Sequence, residues 1–211
     1  MIARQGTLSS SLFGEDLNKL FPIITPDGSD TSSIDNAIEF LLATGRSLPH
    51  VMMMLIPEAW GDHLPMDKAK RDFYEYHSFL MEPWDGPALI AFTDGKRVGA
   101  ILDRNGLRPF RYVVTQDDLL VMASEVGVLD IPPESILYKG RIRPGRMFLL
   151  DPEEGGIIED GALKDRISRR QPYGEWLDSN RVRLDEIPNE NLPQQHLLDG
   201  VARVQQQKAC L

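Results

Sequence analysis

The hydrophobic pattern of this chain changes period once, at Pro87, and that change restricts the fold more than any other feature. Before it, apolar residues recur at helical spacing; after it, they fall in short runs separated by turn residues. Ile34, Ala37, Ile38, Leu41 and Leu42 share one face of a predicted helix beginning near Ser33. Ser32 or Ser33 is placed to accept its first free backbone N–H groups, and Gly45 suits a left-handed end. Ser47-Leu48-Pro49 opens a second helix, almost uniformly apolar from Val51 to Ile56 and stopped by Pro57. A third is expected from Asp67 to Leu80, with Ala69, Phe73, Tyr76, His77 and Leu80 in a stripe. The first 30 residues show no such period and are expected to be irregular.

Beyond Pro87, the runs Ala88 to Phe92, Arg97 to Leu102, Phe110 to Val114 and Leu119 to Ala123 predict a meander of antiparallel strands. Asp94-Gly95 suits a tight turn because both residues tolerate positive φ. A further strand pair is expected at Ile136 to Lys139 and Arg146 to Leu150, joined by the turn residues Arg143-Pro144-Gly145. Helices followed by strands, without strict alternation, give an α+β class. Composition shifts near the acidic segment 151–161, which places the expected boundary at about residue 162, with residues 1–161 a domain and 162–211 a linker or tail resting on something else.

With 211 residues, 42% of them hydrophobic, the chain can fill a core, so wholesale disorder is excluded. Its 23 Lys and Arg stand against 32 Asp and Glu, a formal charge of −9 that argues against nucleic acid and anionic membranes as partners. The longest apolar stretch, VMMMLI, is far shorter than a membrane span, and the first residues lack a secretory signal pattern. The single cysteine, Cys210, allows no internal disulfide and fits a reducing cytoplasm.

Chemistry-bearing patterns are sparse. His50, His63, His77 and His196 show no metal-ligand spacing; His77 lies on an apolar stripe and reads as a core histidine. Asp62-His63 reads as a solvated turn, Met52 to Met54 as adaptable core filler, and Cys210 as a thiol without fixed neighbours to activate it. In Gly28-Ser29-Asp30-Thr31-Ser32-Ser33, Asp30 has two readings: a carboxylate complementing a helix start, or one gripping a ligand ammonium group, with Gly28 allowing close backbone approach. The loop Asp103-Arg104-Asn105-Gly106-Leu107-Arg108-Pro109 holds two arginines and an aspartate; it is expected to be a strand connection held by Asp103 to arginine ion pairs, not an anion trap.

The strings GSDTSSIDN (28–36), GRSLPHVMMMLIPEAW (45–60), FYEYHSFLMEPWDGPALIAFTDG (73–95), DRNGLRPFRY (103–112) and VMASEVGVLDIPPE (121–134) closely resemble the large chain of glutamate synthase. The resemblance runs from about Gly6 to Gly161. It implies the later part of a class II glutamine amidotransferase domain with the four-layer αββα fold of N-terminal nucleophile hydrolases. In such domains an N-terminal cysteine attacks the glutamine amide, its own α-amino group moves the proton, and an Asn-Gly pair stabilises the oxyanion. The ammonia released passes to a flavin domain and, with 2-oxoglutarate, yields glutamate.

The same resemblance sets expectations for what this chain lacks. Met1 and Ile2 stand where a cysteine would be needed, and the HNGE-type oxyanion motif and the arginine for the substrate carboxylate belong upstream. The chain is therefore expected to be a fragment with no catalytic residue of its own, inert in isolation. By the resemblance, Asp30 binds the α-amino group of glutamine, with Ser29 and Gly28 as loop neighbours. No cofactor is expected here; FMN and an iron–sulfur cluster belong to other domains. Expected partners are glutamine, the remainder of the large chain, and a small subunit or ferredoxin for the whole enzyme. The competing expectation is a non-catalytic module completing an amidotransferase split between two polypeptides. Either way, half a sandwich exposes sheet edges and an apolar face, so self-association is expected.

Overall fold

The computed structural model describes residues 8–61, 63–183 and 186–187. Helix α1 (Asp30–Ala43) is capped by Ser29, whose hydroxyl accepts the Ser32 N–H at 3.1 Å, so it starts ahead of the expected Ser33. Gly45, at φ 85°, makes the left-handed turn that follows it. Helix α2 (Leu48–Leu55) is buried on every side, Met52 to Met54 included. Asp67 caps α3 (Lys68–Leu80) by accepting the Ala69 N–H at 3.0 Å. The stretch Ser11–Leu20, expected to be irregular, is instead 3-10 helix kinked at Gly14. Ser10 accepts the Leu12 N–H there, and Phe13 and Leu17 pack on the core, a spacing too short for a hydrophobic period to reveal.

Seven strands follow: β1 (Leu89–Thr93), β2 (Val98–Leu102), β3 (Arg111–Thr115), β4 (Leu120–Ala123), β5 (Ile136–Arg141), β6 (Met147–Asp151) and β7 (Gly156–Ile158). They form two antiparallel sheets, ordered β1-β2-β6-β7 and β4-β3-β5. The first two hairpins form as expected, but in different sheets, and β5 and β6 do not pair with each other. The turn Arg143–Gly145 carries the chain from one sheet to the other. Before it, the Ile142 N–H donates to the Phe110 carbonyl at 3.2 Å, continuing β5 along β3; after it, the Arg146 carbonyl accepts from the Leu102 N–H at 3.2 Å, starting β6 along β2. Turn chemistry announced the bend but not the change of partner. Short β7, inside the acidic segment, had no readable alternation.

Pleat alternation sorts the large sheet into two faces. Ile101, Met147 and Leu149 join the helices in one core; Ala100, Leu102 and Phe148 meet Phe110 and Ile142 in a second core against the small sheet. The order is helices, large sheet, small sheet. Helices α4 (Asp160–Ser168) and α5 (Tyr173–Asn180) add Leu163, Ile167 and Tyr173 to the first core. The chain accordingly divides into units Met1–Leu177 and Asp178–Leu211, later than the expected boundary at 162. The composition change there marks only the acidic turn ahead of α4, while the next apolar residues are spaced to bury.

A buried charge network ties α4 to this core. Lys164, with a side chain 1% exposed, donates from Nζ to the Gly145 carbonyl at 2.6 Å and pairs with Asp160 at 3.0 Å and Glu58 at 3.6 Å. Asp160 also takes Arg146 at 2.7 Å and the Met147 N–H at 2.8 Å, and Glu58 accepts the Tyr74 hydroxyl at 3.2 Å. Burial, with Glu58 beside it, pushes the Tyr74 phenol well above its ordinary pKa. Gly145 adopts φ 67°, and a Cβ there would lie 2.9 Å from Glu58 Cβ, so the turn above this network admits only glycine. Among the described residues, no helix is long and apolar enough to cross a membrane.

Candidate functional site

The loop ahead of α1 is built by its own polar groups. The Thr25 N–H donates to Asn36 Oδ1 at 2.9 Å, the Gly28 N–H to the Thr25 carbonyl at 3.3 Å, and the Ser33 hydroxyl to the Ser29 carbonyl at 3.1 Å. Gly28 is the close approach: an added Cβ would lie 3.1 Å from the Thr25 oxygen and 3.2 Å from Ser32 Oγ. Ser29, not Asp30, is the cap. Asp30 is thus the first residue of α1, exposed, with Oδ1 accepting the Thr31 N–H at 2.8 Å. Its carboxylate complements the positive end of the helix and keeps acceptor capacity open to solvent. Asn36 escaped sequence reasoning, since a polar residue on a helix gives no sign that it reaches back to a loop.

The Asp103–Pro109 connection is structural, but not through the expected ion pairs. Asp103, 5% exposed, accepts the backbone N–H groups of Ala88 at 3.1 Å, Asn105 at 2.8 Å and Gly106 at 3.4 Å. Arg104 faces Asp85 at 4.0 Å instead. A short aspartate buried beside three free N–H groups satisfies the backbone before it can reach a guanidinium. Gly106, at φ 61°, rests on Pro144 of the other crossing, where a Cβ would meet ring atoms at 2.5 and 2.8 Å. Asp103→Ala is expected to cost about 2 kcal/mol by stranding these donors. Urea unfolding checks this, and a loss below about 0.5 kcal/mol would contradict it.

The other candidates do not converge. His77 is the expected core histidine, 3% exposed, but it is not alone: its Nε2 lies 3.0 Å from Nε2 of His50, itself 7% exposed. His77 Nδ1 is 2.7 Å from the Phe73 carbonyl and must be its protonated nitrogen, so His50 donates to His77. Burial lowers the pKa of His50 to about 4 and of His77 to about 3, with the Arg46 charge adding to both shifts. The pair seals a packed interior ringed by Phe73, Tyr76 and Tyr173. Among the described residues, no three His, Cys, Asp or Glu side chains gather as metal ligands. Asp62, His196 and Cys210 lie outside the described residues.

The profile of the class II glutamine amidotransferases matches residues 1–176. The chain belongs to this family. The matched region ends beside the division between the two units, at Leu177. Among curated relatives, the large chain of an NADPH glutamate synthase from Bacillus subtilis is 55% identical over 188 residues, 89% of this chain and 12% of its own length. An NADH glutamate synthase from Schizosaccharomyces pombe is 49% identical over 89% of this chain and 9% of its own length. A ferredoxin-dependent glutamate synthase from Synechocystis is 40% identical over 99% of this chain and 13% of its own length. The chain is therefore homologous to the glutamine amidotransferase region of glutamate synthases, and spans 9 to 13% of these relatives.

Proposed function

We propose that this chain carries the amino-acid clasp of a glutamine-hydrolysing domain that delivers ammonia for glutamate synthesis in the cytoplasm. In this reading, the Asp30 carboxylate receives the α-ammonium of glutamine, Ser29 holds the helix start beneath it, and Gly28 keeps the loop low enough for the ligand to approach. The supporting observation is the exposed Asp30 carboxylate on a loop pinned by Asn36 and Ser33. An ammonium donor against an ionised acceptor makes a charge-assisted hydrogen bond, roughly twice as strong as a neutral one. The helices and two sheets are, on the same reading, three layers of an αββα sandwich.

Amide cleavage requires an activated nucleophile, which the family takes from a cysteine. The one thiol of this sequence is Cys210, so a polypeptide of this sequence is expected to release no ammonia from glutamine above the buffer blank. Sustained turnover would overturn that expectation. An iron–sulfur cluster takes several thiolates and does not fit a chain with one cysteine.

Titrating the isotope-labelled chain with millimolar L-glutamine tests the clasp. Amides of Gly28 to Ser32 are expected to shift, whereas glutaramate, which lacks the α-amino group, leaves them in place. Asp30→Asn should abolish the response. Equal shifts from both compounds would remove Asp30 from the role.

A further inference from the structure

Just past the end of α1 stands an arginine without a counter-ion. Thr44, the C-terminal cap, donates its hydroxyl proton to the Leu41 carbonyl at 2.5 Å, and the same oxygen accepts from Arg46 Nη1 at 2.5 Å. That contact fixes the guanidinium and uses one of its five donors. Among the described residues no carboxylate pairs with Arg46, half-buried in a chain of net charge −9. Its charge instead adds to the downward pKa shifts of His50 and His77. A cation here suits the negative end of the helix, but that service needs only the charge and leaves the remaining donors unused.

Arg46 also lines a cavity of about 300 Å³. Its apolar walls come from Phe40, Leu41, Met54 and Met81, all buried side chains of the first core. Ser10 lines it too, and because Ser10 Oγ accepts the Leu12 N–H at 3.3 Å, its hydroxyl proton remains to be donated. Among the described residues no acidic side chain lines this space, and Arg46 is its single cation. Apolar walls with a few polar groups that fix orientation are the general form of a small-molecule site.

We propose that this cavity binds a free aliphatic monocarboxylate of about eight carbons, its carboxylate on Arg46 and the Ser10 hydroxyl and its chain along Met54 and Met81. The unpaired guanidinium calls for an anion, and a single cation calls for a single carboxylate. The volume sets the size: a water takes about 30 Å³ of liquid, so the space suits about ten non-hydrogen atoms, those of octanoate. The buried walls call for an alkyl chain rather than a second polar end. Asp30 lies at the opposite end of α1, 14 residues long and therefore about 20 Å at the helical rise, so no one glutamine spans both places. The proposal is independent of the glutamine clasp.

The test titrates the full chain, isotope-labelled at its methionine methyl groups, with octanoate and with octanamide, which has the same shape and no charge. The Met54 and Met81 signals are expected to shift and that of Met122, in the second core, to stay. Octanoate should bind roughly tenfold more tightly than octanamide, the lower end for hydrogen bonds to a charged group. From butanoate to octanoate each added methylene should tighten binding about fourfold, and decanoate should gain nothing more because the cavity is full. Arg46→Gln should bring octanoate down to the affinity of octanamide. Phe79→Ser, on an exposed part of the lining, should weaken both compounds alike, and Asp30→Asn neither, which separates a failure here from a failure of the clasp. If Arg46→Gln melts early, the ratio of the two compounds on the unaltered chain still decides. Equal affinities, or a preference surviving Arg46→Gln in a folded chain, would overturn the proposal. So would a gain continuing through decanoate, which marks partition onto a surface, or tighter binding of a peptide ending in leucine, which assigns the cavity to a polypeptide end.

Discussion

Replacing Lys164 with methionine is expected to destabilise the chain by about 3–5 kcal/mol, although the two side chains are similar in length. The loss does not come from packing volume. Glu58 and Asp160 stay in place with Arg146 as their one remaining cation, and that arginine is half exposed, with Glu58 3.9 Å away. The Gly145 carbonyl loses its donor as well. A buried carboxylate left without its partner carries a desolvation cost that an exposed pair never incurs, so this cost outweighs the modest value of any one ion pair. Guanidinium chloride unfolding at neutral pH measures the change. A loss under about 1 kcal/mol would mean that water reaches the network and screens it.

Mild acid should have the second large effect. Both buried histidines are held neutral in the fold, at about 4 for His50 and about 3 for His77, whereas the unfolded chain takes up its protons near pH 6.5. Below 6.5 the unfolded state therefore binds more protons, and stability falls as pH falls; the contribution is fully present above 6.5 and is lost across the interval down to the folded values. Between pH 7.5 and 5 the two sites together are expected to remove about 4 kcal/mol, a large part of a typical domain's stability. The groups facing the pair are the Arg46 and Arg170 guanidiniums and the Tyr76 and Tyr173 rings, and none of them is a carboxylate that would welcome an imidazolium. The carboxylates held low by hydrogen bonds, such as Asp94 and Glu159, act only at lower pH. Urea midpoints at pH 7.5 and 5 for the native chain and for His50→Phe with His77→Leu decide the matter. The double variant should lose most of the pH dependence, and an unchanged slope would clear the histidines.

The helices and strands were legible because one period dominates each segment. The α3 start at Asp67 and the α2 entry at Ser47-Leu48-Pro49 were visible as residues, because caps and first-turn prolines act within one turn of chain. What sequence hid was choice of partner. The run at Ile136 and the run at Met147 suggest one hairpin by their spacing, and only the hydrogen bonds of Ile142 to Phe110 and of Leu102 to Arg146 show that the chain changes sheet between them. The same holds for the site: Asp30 stood out in the sequence but its ligand role came from resemblance, Asn36 came from geometry alone, and His50 gained meaning only with a second imidazole against it. Spacing along a chain encodes periodicity, whereas a meeting of distant side chains leaves no local trace.

The strand pairings are nested like parentheses: β3 with β5 lies wholly inside β2 with β6. Closing the outer pair first would mean fixing the ends of a long flexible loop, whereas forming the inner one first shortens the free chain that remains. The small sheet should therefore form before the β2–β6 pairing that encloses it, which joins the two hairpins of the large sheet last. By the same logic, lengthening the β3–β4 turn should slow the earliest step, while lengthening the β1–β2 turn should leave it untouched.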